Sequence, residues 1–491
     1  MKKKIIIIGA GLGGLAAGCR LAASGHTVEI LEQRASVGGL AAAYPISGFE
    51  VDPGPAAFTA SQQIEDIYHA AGKPLPDNLQ WLPVSPAHRI FDARQRSFDL
   101  QFDPGSILEE VHCWDPAAVD ACHQYLQDTR AFFSPRFDHL DSLPFLNPLS
   151  LLRTLPDIIR MKGLQSTWAF VSRYFEDPFL SAVFALKPFL MGGNPLEVNI
   201  YTALHMQKQD TVMLHPAGGI KTIARNLSGL FQELGGKLHL NAEVTGIITR
   251  LHQVSGVRMK DGGLHPADII IANADVADVH NRLLNDSKAG RFSLKNAAKL
   301  RFSMSMFTIS LVTSRRYMGS PLAHHNIFLP EDFAGLLNEI FFRRTLSSHP
   351  AIFLHMPTRT DPNLAPPENE LMTIQVPVPN LTAGIDWQIE ARPLREKVIA
   401  FLEQYYLPEL RASILAESVI TPQDYHKNFN AAFGAPFSLQ LSPFQAAWFR
   451  PHNRAAQFHN LYLVGAGTHP GPGMAAVLSS AQIVNELIGP A

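Results

Sequence analysis

Two glycine-rich turns, one at each end of a chain of 491 residues, constrain the fold more than any other feature of the sequence. The first follows a run of isoleucines and places Gly9, Gly11 and Gly14 in the pattern G-x-G-x-x-G. The second, within residues 460–474, reads NLYLVGAGTHPGPGM. Each has the order strand, glycine turn and helix start, which is the local geometry that holds a phosphorylated ligand. Turns at both ends predict one large site that both termini close.

The residues around the first turn predict a dinucleotide site. The isoleucines at 5–8 are typical of a parallel strand buried on both faces. A helix over 12–24 would direct its N-terminal amide groups at a pyrophosphate. A second strand over 27–31 ends at Glu32, at the distance of about 20 residues where a carboxylate binds the ribose hydroxyls. An acidic group at this position disfavours the 2′-phosphate of NADP.

A second pair of glycines, Gly38 and Gly39, follows Glu32 at close spacing. In this respect the segment resembles the glutathione-reductase-like flavoproteins, and the resemblance implies FAD rather than NAD. The fold class expected from it is α/β, with a Rossmann-type FAD-binding domain and an inserted mixed α+β substrate lobe.

The alternation of strand and helix patterns along the chain predicts that these two units interleave. We expect the FAD-binding domain at 1–75, 211–285 and 441–491, the last of these closing the site. A largely helical, membrane-facing part of the substrate lobe is expected at 76–210, and its sheet with further helices at 286–440.

The composition excludes several classes of function. The formal net charge is −2 and no basic tract is present, so nucleic acid is not an expected partner. Cys19, Cys113 and Cys122 form no C-x-x-C pair, so we expect neither a disulfide framework nor a metal site. No apolar run reaches the 18 or so residues that span a bilayer, so a cytoplasmic protein is expected.

Segments outside the glycine turns resemble the bacterial-type phytoene desaturases, which are FAD-dependent carotenoid-making enzymes. Ala466, between two glycines of the closing turn, stands where most relatives in the wider flavoprotein superfamily carry an acidic residue, as in the carotene desaturase branch. The resemblance runs nearly from end to end. Its most specific segment is 447–474, and further segments are 187–205, 267–279 and 376–387.

This resemblance implies a set of residues for noncovalently bound FAD. The adenosine and pyrophosphate would be held by Gly9, Gly11, Gly13, Gly14, Glu32 and Gly39. The remaining contacts are Gly54 and Pro55 near the flavin, the backbone of Val244 at the adenine, and Gly467 and Met474 near the isoalloxazine and ribityl. For Val244 and Met474, plain core packing is an equal alternative.

The resemblance also implies the reaction, which is desaturation of a linear polyene precursor, phytoene or its C30 analogue. A hydride would pass from an allylic CH2 to flavin N5, with loss of a proton from the neighbouring carbon. Weak candidates for residues near this chemistry are His205, Arg450 and His452, although the last two could instead bridge the lobes or bind the flavin phosphate. We expect His469 to be a surface or capping residue rather than a covalent flavin attachment.

A polyene that resides in the bilayer implies peripheral association with the membrane surface. Residues 143–164 combine apolar and basic side chains, a pattern that suits either an interfacial helix pair or an amphipathic core helix. Quinone or oxygen is the expected electron acceptor.

Other functions of the same fold stay open, because function depends on the site and not on the fold. Within polyene enzymes these are a carotene isomerase, a saturase or a terminal oxidase. A non-catalytic prenyl-lipid carrier is a further alternative, which the intact glycine turns disfavour. An amine oxidase would need an aromatic cage, which we do not find in the sequence.

Overall fold

The computed structural model describes most of the chain. The described residues are 1–52, 57–130, 132, 159–160, 162–207, 212–284 and 300–491. Gly54, Pro55 and most of the segment 143–164 therefore lie outside the described residues.

The described residues form strands throughout the chain. In chain order the strands are β1 Lys4–Ile8, β2 Thr27–Leu31, β3 Tyr44–Ile46, β4 Phe49–Val51, β5 Trp81–Pro83, β6 His88–Phe91, β7 Ser97–Leu100, β8 Leu214–Pro216, β9 Lys237–His239, β10 Val244–Arg250, β11 Gln253–Met259, β12 Leu264–Pro266, β13 Ile269–Ala272, β14 Ser305–Thr313, β15 His325–Phe328, β16 Ile352–His355, β17 Glu370–Val378, β18 Ile414–Ile420 and β19 Leu461–Leu463.

The α-helices of five residues or more are α1 Leu12–Ala23, α2 Ser61–Ala70, α3 Pro104–Trp114, α4 Val119–Arg130, α5 Thr167–Val171, α6 Pro178–Phe184, α7 Leu186–Leu190, α8 Ile200–Gln207, α9 Lys221–Glu233, α10 Phe333–Asn338, α11 Trp387–Tyr405, α12 Pro422–Phe429 and α13 Met474–Ile488. Among the helices of the described residues, none has both the length and the apolarity that crossing a membrane requires.

A five-stranded parallel sheet in the order β19-β13-β1-β2-β9 forms the first unit. Ile5 and Ile7 of β1 pack on the side of α1, α9 and α13, whereas Ile6 and Ile8 pack against the three-stranded sheet β10-β11-β12. The central strand is therefore buried on both faces, which explains its uninterrupted apolar sequence. The prediction of a Rossmann-type fold is confirmed.

A seven-stranded sheet in the order β18-β14-β17-β16-β15-β6-β7 forms the second unit. Phe307, Ile309 and Leu311 of β14 pack with α11 on one face. On the opposite face, Met306 packs with the short helices of residues 167–207. Helices thus cover this sheet on both sides.

Within the segment expected to be largely helical, residues 81–100 instead contribute the strands β5, β6 and β7. Ile90 and Phe98 stand opposite each other in the β6–β7 pair and are fully buried. On the other face of the same pair, Arg89 and Asp99 form an ion pair of 2.6 Å. This alternation with a period of two residues favours a hairpin, and the many prolines and phenylalanines nearby obscured it.

Replacing Ile7 by alanine tests how far the fold depends on β1. Ile7 is 0% exposed and lies between Ile30 and Ile271 of the neighbouring strands. The cavity left by the truncated side chain is expected to lower the free energy of unfolding by about 2–5 kcal/mol, measured by denaturant unfolding. Leu264→Ala, at a position 63% exposed, is the matched control and is expected to change it by less than about 0.5 kcal/mol. Equal losses in the two variants would contradict the assignment of β1 as the core strand.

Candidate functional site

A cavity of about 560 Å³ extends from the parallel sheet to the large sheet. At one end it is lined by residues that directly follow β1, β2, β13 and β19. These strands are parallel, so their carboxyl ends meet at one edge, where ligands of open α/β sheets bind. At the other end, β14, β15, β16 and β17 of the large sheet contribute to the lining. The cavity therefore lies at the junction of the two units.

The first glycine turn (residues 9–14) is packed too closely for a side chain at any of its four glycines. A Cβ on Gly14 would lie 2.1 Å from the carbonyl oxygen of Gly9, and one on Gly9 would lie 2.6 Å from that of Asn273. The Asn273 side chain fills the space beneath the turn, and its Nδ2 donates to the Gly9 carbonyl at 3.3 Å. The sequence identified Asn273 only as the end of a strand. The available signal was its position as a polar residue directly after a fully buried strand.

The second glycine pair lies against the first turn. The backbone N–H of Gly38 donates to the carbonyl of Ala10 at 2.8 Å, and Gly38 has a φ of +109° that favours glycine. A Cβ on Gly39 would lie 3.3 Å from the Cα of Gly11. The backbone of the Gly38–Gly39 pair therefore lies at the same end of the cavity as the first turn.

Glu32 lies at the cavity wall and is 5% exposed. Its Oε2 accepts a hydrogen bond from the backbone N–H of Ala10 at 2.7 Å, and its Oε1 accepts one from that of Arg34 at 2.9 Å. Two backbone donors thus fix the carboxylate beside the glycine turn. This arrangement suits a carboxylate that accepts hydrogen bonds from ribose hydroxyls.

The closing glycine turn (residues 465–473) meets the first turn across Asn273. A Cβ on Gly465 would lie 3.3 Å from Asn273 Oδ1, and one on Gly13 would lie 2.9 Å from the same atom. Directly after the closing turn α13 begins at Met474, so the N-termini of α1 and α13 both face the cavity. Two helix N-termini provide a favourable site for a pyrophosphate.

The other predicted FAD contacts also line the cavity. The carbonyl of Val244 accepts a hydrogen bond from Arg282 at 2.9 Å, whereas its side chain is 4% exposed in the core. A Cβ on Gly467 would lie 2.9 Å from Ser438 Oγ. Val244 thus lines the cavity while its side chain packs in the core, and contact of its backbone with adenine stays a prediction.

Arg450 and His452 do not belong to the cavity lining in the described residues. The guanidinium of Arg450 is fully buried and donates to backbone carbonyls, among them those of Thr468 at 3.1 Å and Ala466. Burial lowers its pKa to about 10, which leaves the group charged at neutral pH. A ring nitrogen of His452 lies 3.1 Å from the Trp448 carbonyl. Arg450 therefore binds the backbone of the closing turn without lining the cavity.

His205 lines the cavity, with its ring 4.2 Å from that of Tyr201. A role for His205 in the chemistry stays a prediction. The expectation that His469 is a surface or capping residue is wrong, because it is 3% exposed. Its backbone pairs with Pro451 and Asn453, and this pairing holds it inside the protein at the cavity wall. Burial lowers the pKa of His469 to about 3, so its imidazole is neutral.

The end of the cavity at the large sheet is mainly apolar. Polar side chains interrupt this surface, and they are His88, Lys187, His325, Asn326, His355, Thr373 and Gln375. The sequence did not identify the three histidines because they are far apart along the chain. The apolar lining at this end consists of Leu100, Phe102, Val183, Leu186, Leu190, Met306, Ile327, Phe353 and Leu354. Such a surface suits a hydrocarbon ligand.

Comparison with known proteins places residues 12–488 in one family model, described as flavin containing amine oxidoreductase. The chain is 36% identical over 489 residues to a phytoene desaturase (lycopene-forming) of Pseudescherichia vulneris, covering 99% of each chain. It is 35% identical to a phytoene desaturase (lycopene-forming) of Pantoea ananas, covering 98% of each. A solved structure of a putrescine oxidase variant matches with a TM-score of 0.66 at 11% identity, covering 99% of each chain, which supports the fold alone.

Replacing Gly14 by alanine tests the close packing of the first glycine turn. The added methyl group would overlap the Gly9 carbonyl, so the turn must open and its amides must move. We expect flavin binding to weaken at least tenfold, or about 1.4 kcal/mol, measured as flavin absorbance retained by the purified protein. Gly229→Ala is the matched control, because a Cβ at this helical position meets nothing within 4 Å and is expected to leave the flavin content unchanged. Normal flavin content in Gly14→Ala would show that the turn does not hold the cofactor.

Proposed function

We propose, on the premise that this chain belongs to the flavin containing amine oxidoreductases and within them to the phytoene desaturase family, that it converts phytoene to lycopene. The protein is an oxidoreductase acting on CH–CH groups, and its activity is FAD-dependent desaturation of a carotenoid precursor. The choice of the C40 substrate and of lycopene as product follows the names of the two relatives reported above.

The observation that carries this proposal is the continuity of the cavity. One space joins the carboxyl edge of the parallel sheet to the apolar compartment at the large sheet. A linear hydrocarbon in that compartment could reach a cofactor at the sheet edge without passing through water. Exclusion of water also protects a reactive cofactor from side reactions.

The residues at the sheet edge fit FAD. Gly9, Gly11 and Gly13 of the first glycine turn line the cavity and carry no side chain, so a pyrophosphate could approach their backbone. Glu32 is held where a ribose would need an acceptor. FAD when bound would supply the acceptor for the hydride, which carries both electrons that desaturation removes, while the second hydrogen leaves as a proton. The residues that would hold it are Gly9, Gly11, Gly13, Gly14, Glu32, Gly39, Val244, Gly467 and Met474.

The protein's own contribution to the reaction is positional. The apolar walls would align the polyene along the cavity, so that a CH2–CH2 unit stops beside the cofactor end. Asp275 and Ser438 line the junction of the two ends and hydrogen-bond to each other at 2.7 Å. Burial raises the pKa of Asp275, and its hydrogen bonds to Ser438 and to the Ala277 N–H oppose this rise.

Expression in two hosts tests the substrate and the product. In a host that accumulates phytoene we expect red lycopene, and in one that accumulates the C30 analogue we expect little pigment. Leu190→Trp is expected to lower the pigment yield about tenfold, or about 1.4 kcal/mol of activation free energy, because indole would narrow the apolar compartment. Pigments are separated by chromatography and compared at equal amounts of flavin-loaded protein.

The outcomes of this experiment distinguish the alternatives. A colourless phytoene host that contains folded, flavin-loaded protein would contradict the desaturase assignment and favour an isomerase, a saturase or a lipid carrier. Pigment only in the C30 host would contradict the choice of phytoene. A yield from Leu190→Trp equal to that of the unchanged protein would show that the polyene does not occupy this compartment.

Peripheral association with the membrane surface is part of the proposal. Phytoene is a hydrocarbon, so a protein that takes it up must meet the bilayer. Ile159 and Leu164, each 55% exposed, lie in the segment whose sequence suits an interfacial position. Quinone or oxygen stays the predicted electron acceptor.

Pelleting with liposomes tests the membrane surface. The double variant Ile159→Asp and Leu164→Asp is expected to reduce pelleting while flavin stays bound, because carboxylates oppose insertion among acyl chains. Leu251→Asp is the control, since Leu251 is 87% exposed in the turn between β10 and β11. Equal pelleting of the double variant and the control would contradict this surface.

A further inference from the structure

Five histidines come together beside the cavity, in or next to the strands β6, β8, β15 and β16. They form one group of contacting rings, with neighbouring ring centres 4.4–6.3 Å apart: His88, His215, His324, His325 and His355. All five are less than a tenth exposed. In His215, His324 and His355, one ring nitrogen from each lies within 4.8 Å of the other two.

His215 lacks the hydrogen bonds that a buried imidazole needs. It is 0% exposed, and neither Nδ1 nor Nε2 has a hydrogen-bond partner among the described residues. Buried polar side chains are nearly always satisfied, so this ring requires an explanation. A neutral imidazole offers one N–H donor and one lone pair, and both nitrogens of this ring lack a partner among the described residues.

The ring of His324 is oriented as metal-bound imidazoles usually are. Nδ1 of His324 lies 2.7 Å from the hydroxyl oxygen of Thr360. A proton on Nδ1 that is donated to this oxygen leaves the lone pair on Nε2, which faces Nε2 of His355 at 2.9 Å. A second polar partner on the far nitrogen fixes the tautomer and the ring direction in most histidine metal sites.

We propose that His215, His324 and His355 bind one divalent zinc-like metal ion. Imidazole nitrogens are preferred ligands of zinc, with metal–nitrogen bonds of about 2.0–2.1 Å. In a tetrahedral site the three nitrogens would lie roughly 3.3 Å from one another. Small rotations of the rings would bring the present separations close to that value. This assignment is independent of the proposed reaction.

The surrounding charges support a cation at this position. Asp361 is 5% exposed and interacts electrostatically with His215, favouring positive charge on it. The Asp361 carboxylate is held by the N–H of Gly218, 2.8 Å from its Oδ2. The positive charge of Lys221 acts against a cation near His215, but the ammonium group of Lys221 pairs with Glu50 at 3.3 Å.

The location of the site indicates what the ion would do. His215 belongs to β8, whereas His324 precedes β15 and His355 ends β16 of the large sheet. A shared ion would therefore fasten β8 to the large sheet beside the cavity, which His355 lines. The ion would thus rigidify the wall of the apolar compartment.

Metal analysis of tag-free, flavin-loaded protein tests the proposal. After equilibration with zinc and dialysis, we expect one equivalent of zinc per chain by mass spectrometry. Cobalt titration is expected to give one equivalent of visible ligand-field absorption at wavelengths longer than those of the flavin. His215→Ala should lose this equivalent. Thr360→Val keeps the shape of the side chain and should weaken binding about 10–100-fold.

His252→Ala is the matched control, because His252 is exposed and its ring contacts the ring of His459 at 6.4 Å and the Gln457 carbonyl at 3.4 Å. It is expected to retain the full equivalent of metal. Flavin absorbance and circular dichroism establish that each variant is folded. If the folded, unchanged protein retains no zinc and binds no cobalt, the proposal is wrong. It is also wrong if either His215→Ala or Thr360→Val binds as tightly as the unchanged protein.

Discussion

The contact of Asn273 with both glycine turns is the constraint on which the rest of the site depends. Its side chain lies within 3.3 Å of the positions that side chains would occupy on Gly11, Gly13 and Gly465. Three parts of the chain, the N-terminal turn, the end of β13 and the closing turn, can approach one another only because those positions are glycine. Their approach aligns the N-termini of α1 and α13 toward one cavity. The Asn273 side chain therefore requires glycine at these positions, and it fills the space that their side chains would otherwise occupy.

The two ends of the cavity differ in physical character, and this difference separates their tasks. At the parallel sheet, backbone amides, helix N-termini and the Glu32 carboxylate provide directional polar contacts. At the large sheet, burial lowers the pKa values of the histidines and the walls are mainly apolar, which favours a hydrocarbon. A charged cofactor and an apolar substrate can thus share one cavity, the cofactor at the polar end and the substrate at the apolar end. This division agrees with desaturation, where the cofactor supplies the reactive chemistry and the protein supplies position.

The first unit was predictable because its signals are local. Features that arise from contacts between distant segments were not predictable from the sequence. The isoleucine strand, the glycine turn and the following helix and strand lie within about a residue of their predicted bounds, because period, capping and turn chemistry are local. The β6–β7 hairpin was missed, since its pairing with β15 cannot be seen in its own sequence. Burial of His469 and the grouping of His215 with His355 arise only when separate elements pack together. The sequence identified Asn273 as the end of a strand, but its contact with both glycine turns is visible only in the folded protein.

Anaerobic mixing of flavin-loaded protein with phytoene in liposomes tests the central claim, that one cavity brings a polyene to FAD. The flavin absorbance should bleach once, in a single turnover, while the absorbance of a longer conjugated polyene appears in equal amount. Liposomes without phytoene should leave the flavin oxidised. If phytoene-loaded liposomes also leave the flavin oxidised, although protein and substrate are both bound, the cavity does not connect the two, and the account is wrong.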